Sequence, residues 1–306
     1  MLTPSRLTLA RQRRGLTTAD LSRRTGLAPS TITAYERGTR QPTPPTIENL
    51  SAALGFPQGF LTAPEPPDPS AVPRGAATAA QLAIEFSAWL DERFTLPAPD
   101  VPTHEHPDPE TAAEMVRARW NLGAHPAPNM VQLLESRGAR VFSTPANCAG
   151  AFSFWHRGTP FVFLDPATPP HRARFDAACG LGHLVGQSAR PFAAAFLMPR
   201  KGITATSVTA HVREHARHWH VDPLALTYRL RDAELLTHDQ YRELCARLAT
   251  EPATGRRETS SLLPRVFRAL REQQITPHHV ARELLLDVEE LNGLVRGLTL
   301  TPAARG

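Results

Sequence analysis

Residues 6–56 read RLTLARQRRGLTTADLSRRTGLAPSTITAYERGTRQPTPPTIENLSAALGF. Leu7, Leu9 and Ala10 give a first helix its apolar stripe, and Gly15 ends it. Thr17 suits the N-cap of a second helix, because its hydroxyl can accept from the backbone N–H of Asp20. Leu21 then faces the core and Gly26 supplies a tight turn. Ile32 and Tyr35 bury one side of a third helix, while Ser30, Thr31 and Thr33 point elsewhere. Two short helices joined by a glycine turn make a helix-turn-helix unit, whose second helix has the size of the DNA major groove.

Charge supports the same reading. Residues 1–60 hold eight arginines (6, 11, 13, 14, 23, 24, 37 and 40) against Asp20, Glu36 and Glu48, an excess equal to the +5 of the whole chain. A small basic block on an otherwise balanced chain is the electrostatic footprint of a nucleic-acid-binding module.

The stretch resembles the XRE, or lambda-repressor-like, helix-turn-helix family over about residues 6–62. The matching pieces are R-x-x-x-G-L-T at 11–17, G-L-x-x-S-T-I at 26–32 and Y-E-R-G-x-R-x-P at 35–42. The resemblance implies a five-helix domain in which Thr17 and Thr18 touch phosphate. It places Ser30, Thr31 and Thr33 in or near the groove, and Arg37 and Arg40 on the backbone. Pro29 and Ala34 depart from the long polar residues common in that third helix. They offer only apolar contacts such as thymine methyls, which shifts specificity toward DNA shape.

Outward from this module, 306 residues suffice for two or three domains. The 41% hydrophobic and 21% charged content places the chain among ordinary globular proteins rather than disordered ones. No run approaches 18 apolar residues, so no membrane partner is expected, and no apolar leader marks the N-terminus. Three scattered cysteines (Cys148, Cys179, Cys245) form no paired framework, which fits a reducing compartment; the expected location is cytoplasmic. Pro-rich stretches at 63–75 and 96–109 flank an amphipathic helix at 76–94. Helices follow at 110–122 and 129–137, then an apolar run at 139–143. A β-hairpin is expected from AFSFWH (151–156) and PFVFLD (160–165), whose turn is RGT. Helical spacing returns at 169–185, and 206–297 is nearly all helix with breaks at 221–223, 251–257 and 275–277. No sequence period recurs, which argues against a repeat protein.

Residues 110–200 resemble the ImmA/IrrE metallopeptidase family over almost the whole domain. The resemblance rests on PETAAEMVRARWNLG (109–123), LLESRGARVF (133–142), AFSFW (151–155), PFVFLD (160–165), RFDAACGLGH (174–183) and FAAAFLMP (192–199). Fusion to an XRE module is itself familiar among such proteins. A catalytic H-E-x-x-H helix chelates zinc with His at i and i+4, and its Glu takes a proton from the metal-bound water. Here Cys179 stands for the first His and Gly180 for the Glu; His183 remains, and Gly186 stands where the family has its third ligand. The resemblance therefore implies a kept fold with lost chemistry: a pseudoenzyme with no catalytic residue and no cofactor. Cys179, Gly180, His183 and Gly186 would line a cleft in place of the metal site. The rival reading is a zinc protease in which Cys179 and His183 hold metal with help from His171 or Asp165.

In HVREHARHWHVDPLALTYRL (211–230), His211, His215 and His218 share a helical face beside the apolar stripe Val208, Val212, Ala216 and Trp219. That pattern is compatible with a metal or pH-sensing site, though flanking a packed face is the simpler account. HVDPLALTYRLRDAELLTHDQY (220–241) resembles the helix pair that follows the peptidase-like domain in these fusions. ITPHHVARELLLDVEELNGLV (275–295) reads as two short helices around a turn, suited to packing or dimerisation; its Leu284, Leu285, Leu286, Val288 and Leu291 need cover.

The expectation is an α+β, mostly α chain. Residues 1–62 form the five-helix DNA-binding domain and 63–109 the linkers around helix 76–94. A zincin-like, peptidase-related domain with a small sheet spans 110–200, and a C-terminal helical domain spans 201–306. The expected function is a transcriptional regulator on a double-stranded DNA operator, a homodimer, with a small-molecule or nucleic-acid effector. A site-specific zinc metalloprotease and an antitoxin-like protein repressing its own promoter are the alternatives.

Overall fold

The computed structural model describes residues 1–66, 72, 76–103, 108–144, 150–203, 211–248 and 256–299. The chain is α+β and mostly helical, with one three-stranded sheet among the described residues. Contacts gather it into two compact units. The first comprises the described residues of Met1–Leu96, Ser143–Ala149 and Leu263–Arg296; the second those of Pro97–Phe142, Gly150–Leu262 and Gly297–Gly306. Of the last helical stretch, Leu263–Arg296 groups with the N-terminal unit and the described residues before it with the second.

In the first unit, α1 (Pro4–Arg13), α2 (Thr18–Thr25), α3 (Pro29–Glu36), α4 (Pro44–Leu54) and α5 (Gln58–Thr62) enclose Leu7, Leu21, Ile32, Leu50, Phe60 and Leu61, each fully buried. Thr17 caps α2 through a reciprocal capping box with Asp20, and Gly26 takes the left-handed conformation (φ +72°) that ends it. α6 (Ala77–Asp91) joins this core, where Arg6 pairs with Glu85 at 2.6 Å and lies over the Phe60 ring at 4.9 Å. Three further helices belong to the unit: Leu262–Glu272 (from Leu263 onward), Pro277–Glu283 and Val288–Val295.

In the second unit, β2 (Phe152–His156) and β3 (Thr159–Leu164) form the antiparallel hairpin, with Phe152 opposite Phe163 and Phe154 opposite Phe161. Its two-residue turn uses positive φ at both Arg157 and Gly158, matching the strand twist. β1 (Arg140–Ser143) lies on the other side of β3, and stacked rings of Phe152 and Phe163, 4.4 Å apart, seal the sheet face. α9 (Pro170–Leu184) lies across β2 and β3; Ser153 Oγ donates to the Gly180 carbonyl and Trp155 Nε1 to the Leu184 carbonyl, both at 2.9 Å. α10 (Ala189–Leu197) packs on α9 and on α7 (Pro109–Arg119), and α8 (Met130–Ser136) packs on α9. Buried Arg117 ties the end of α10 to the loop after α7 by donating to three carbonyls, those of Gly123, His125 and Phe196. Helices Val212–Trp219, Pro223–Asp232 and His238–Leu248 complete the unit.

Candidate nucleic-acid interface and ligand cavity

α3 presents its polar face to solvent while Ile32 (0% exposed) and Tyr35 (4%) anchor the other face. Ser30 is exposed; Thr31 and Thr33 are half-buried, and the Thr33 hydroxyl donates back to the Pro29 carbonyl at 3.0 Å. Thr17 is exposed and Thr18 half-buried at the start of α2. The Thr17 hydroxyl accepts from the Asp20 N–H at 3.1 Å and donates to its carboxylate at 2.6 Å. The hydroxyl's bond to the carboxylate, with a second from the Thr17 backbone N–H at 2.9 Å, holds the Asp20 carboxyl below its ordinary value, the flanking Arg23 and Arg24 adding to the effect. Arg37 and Arg40 are exposed just beyond α3, with Arg40 over the Tyr35 ring at 6.0 Å. The residues expected to face DNA thus lie on the consecutive segment from α2 to the loop after α3.

The basic block is smaller than its sequence count. Arg11 pairs with Glu36 at 2.6 Å, as one helix-to-helix strut of the domain. Arg6 is taken by Glu85, and both Arg13 and Arg14 by Glu290, acids from outside residues 1–60. Exposed arginines remain at 23, 24, 37 and 40, of which Arg23 pairs with Asp20. Exposed ion pairs of that kind exchange readily with solvent and so with phosphate.

On the second unit, a cavity of about 340 Å³ opens between α9 and the strand ends. Cys179, Gly180 and His183 line it, together with Asp165, Thr168, Pro169, Arg172, Asp176 and residues 150–152. Gly186 is not in the lining: it follows α9 with φ +83°, donating its N–H to the His183 carbonyl at 3.0 Å. Gly180 is a contact glycine. A Cβ there would fall 3.0 Å from Val162 Cγ1, so the missing side chain lets helix and sheet meet and does not merely widen the cleft.

Burial pushes the Cys179 thiol up to about 12, with the Asp176 charge adding and Arg190 opposing. A thiol so held is a poor nucleophile and a reluctant ligand. Burial likewise raises Asp176, with Asp165 adding to the shift against Arg172 and Arg190. His171 turns away to Asp222, 3.5 Å from its carboxylate. Among the described residues no three His, Cys, Asp or Glu side chains gather as a metal site. Val212, Ala216 and Trp219 are buried, with His211 and His218 exposed and His215 half-buried; Val208 lies outside the described residues.

Residues 5–61 match the family model described as a helix-turn-helix domain. No curated protein and no solved structure matches the chain. The N-terminal residues are therefore a helix-turn-helix domain, the architecture of a DNA-binding regulator. Among the described residues no helix is long and apolar enough to cross a membrane.

Proposed function

We propose that this chain is a sequence-specific DNA-binding transcriptional regulator of XRE type. Its second unit is a peptidase-like domain of the ImmA/IrrE kind that has lost its chemistry and serves as sensor and dimerisation body. The observation that carries the reading is the match of residues 5–61 to a helix-turn-helix domain whose third helix and following arginines stand exposed. Ser30, Thr31 and Thr33 face the groove, Arg37 and Arg40 grip the backbone, and Thr17 and Thr18 sit at a phosphate. One such domain reads few base pairs, and a homodimer on a two-fold operator doubles the contacts.

The cavity supports the sensory part. It stands where the H-E-x-x-H resemblance falls, yet Gly180 carries no base and the Cys179 thiol is held protonated. Asp165, Asp176, Arg172 and His183 offer both charge signs and hydrogen bonds to a small polar effector. An effector favouring one geometry shifts operator affinity by a coupling energy of about 1–3 kcal/mol. The test is a genome-wide map of DNA bound by the tagged full-length chain. The reading expects a few discrete sites sharing a motif; uniform background coverage would remove it.

A further inference from the structure

Helices Leu262–Glu272, Pro277–Glu283 and Val288–Val295 repeat the first three helices of the chain at a constant separation of 259 residues. Shifted by that number, α1 covers 263–272, α2 covers 277–284 and α3 covers 288–295. The caps repeat with the helices. Thr17 closes a capping box with Asp20, and Thr276 closes one with His279. Positive φ recurs as well: +66°, +72° and +71° at Gly15, Gly26 and Gly38, against +59°, +56° and +74° at Gln274, Leu285 and Gly297. Core positions correspond, with Leu7, Leu21, Ile32 and Tyr35 matched by Val266, Val280, Leu291 and Leu294, all buried. Even the turn bonds match: Leu16 N donates to the Arg11 carbonyl, and Ile275 N to the Leu270 carbonyl. The sequence hides this recurrence because two of the three glycine turns are filled by Gln274 and Leu285.

We infer that residues 262–297 are a second helix-turn-helix, turned from a DNA reader into a clasp on the first. Where the first copy has Ser30, Thr31 and Thr33, the second has Glu289, Glu290 and Asn292. Carboxylates at groove-facing positions repel phosphate. Glu290 is 4% exposed and accepts from Arg13 Nε with one oxygen and from Arg14 with the other. Nearby Gly293 lies beside the Arg13 guanidinium, where a Cβ would make ordinary contact at 3.4 Å. Two further contacts extend the clasp. Leu285 packs against Gly59 of α5, and Glu283 accepts from Trp89 Nε1 and from Arg93 at 2.7 Å each. The third helix of the second copy therefore recognises the two arginines at the end of α1 instead of DNA. It occupies that surface within the chain, so a second protomer must meet this one elsewhere.

Three full-length variants test the inference. Glu290→Gln keeps the shape and removes the charge. Amide exchange across 277–295 should rise about tenfold while helical content is retained; unchanged exchange would overturn the clasp. Should that variant fail to fold, Arg13→Lys keeps the charge but loses the Nε–H donor that meets Glu290, and a smaller rise is expected, with no rise again overturning it. Glu289→Ala with Asn292→Ala alters only exposed side chains. Operator affinity should stay within about twofold, because these positions do not face DNA. A tenfold loss or an altered footprint would make the second copy a reader and sink the assignment. This second arm rests on the proposed DNA-binding function; the exchange arm needs no DNA, so the two readings fail separately.

Discussion

Replacing Gly180 with Ala should reveal whether α9 lies against the sheet as described. A Cβ at 180 would sit 3.0 Å from Val162 Cγ1, and 3.7 Å from Val162 Cγ2 and Ser153 Cβ. Only the first distance is too short, and relieving it costs about 1–3 kcal/mol in a packed interior. Against this, Ala gains about 1 kcal/mol over Gly within a helix. The net expectation is a loss of about 0–2 kcal/mol. Val162→Ala removes both Cγ atoms and leaves only ordinary contact with Ser153. In that background Gly180→Ala should stabilise by about 1 kcal/mol, reversing its sign. Urea unfolding of the four members of the cycle measures this. A coupling below about 0.5 kcal/mol would refute the packing argument and return Gly180 to the role of a simple opening.

Other expectations follow from the same geometry. Cys179, with a thiol near 12 against 9.0 for a free one, should alkylate about a thousandfold more slowly at pH 8 than an exposed thiol, measured by mass spectrometry of its peptide; a normal rate would contradict its burial. Asp176 is raised, so the folded state keeps a proton that the unfolded chain has lost, and stability contributed here falls as pH rises from 3.8 through the folded value. Asp176→Asn should therefore gain urea resistance over the parent at pH 7 but not at pH 3.5, and an equal gain at both would exclude that cause. Replacing Arg37 and Arg40 with Ala should weaken binding to any duplex and flatten the log-affinity against log-salt slope by up to about 2. An unchanged slope would mean that neither touches phosphate.

Local chemistry was the legible part of this sequence. Thr17 and Asp20 three residues apart announced a cap, Gly26 its turn, and Leu21, Ile32 and Tyr35 the core they fill. The aromatic alternation of residues 151–165 likewise announced the hairpin. What escaped was set by partners distant in the chain. Glu290 lies 276 and 277 residues from the arginines it neutralises, so a count over residues 1–60 overstated the free positive charge. The second copy was invisible because helix caps and turns preserve backbone geometry, not side chains: Leu285 bears a positive φ that Gly26 advertises openly. At the cavity, spacing placed Cys179 and His183 on one face, but it could not tell that Val162 presses on Gly180 or that Gly186 turns away at the helix end.

In the proposed regulator, α3 of the N-terminal domain reads DNA sequence. Selection of bound duplexes from a random pool by the full-length chain, followed by titration of the winner and its scrambled counterpart near physiological salt, tests it most directly. One enriched motif should emerge, bound about a thousandfold or more above the scrambled duplex, with discrimination eroded by Ser30→Ala and Thr33→Ala. A pool that emerges without a motif, or equal affinity for both duplexes, would contradict it.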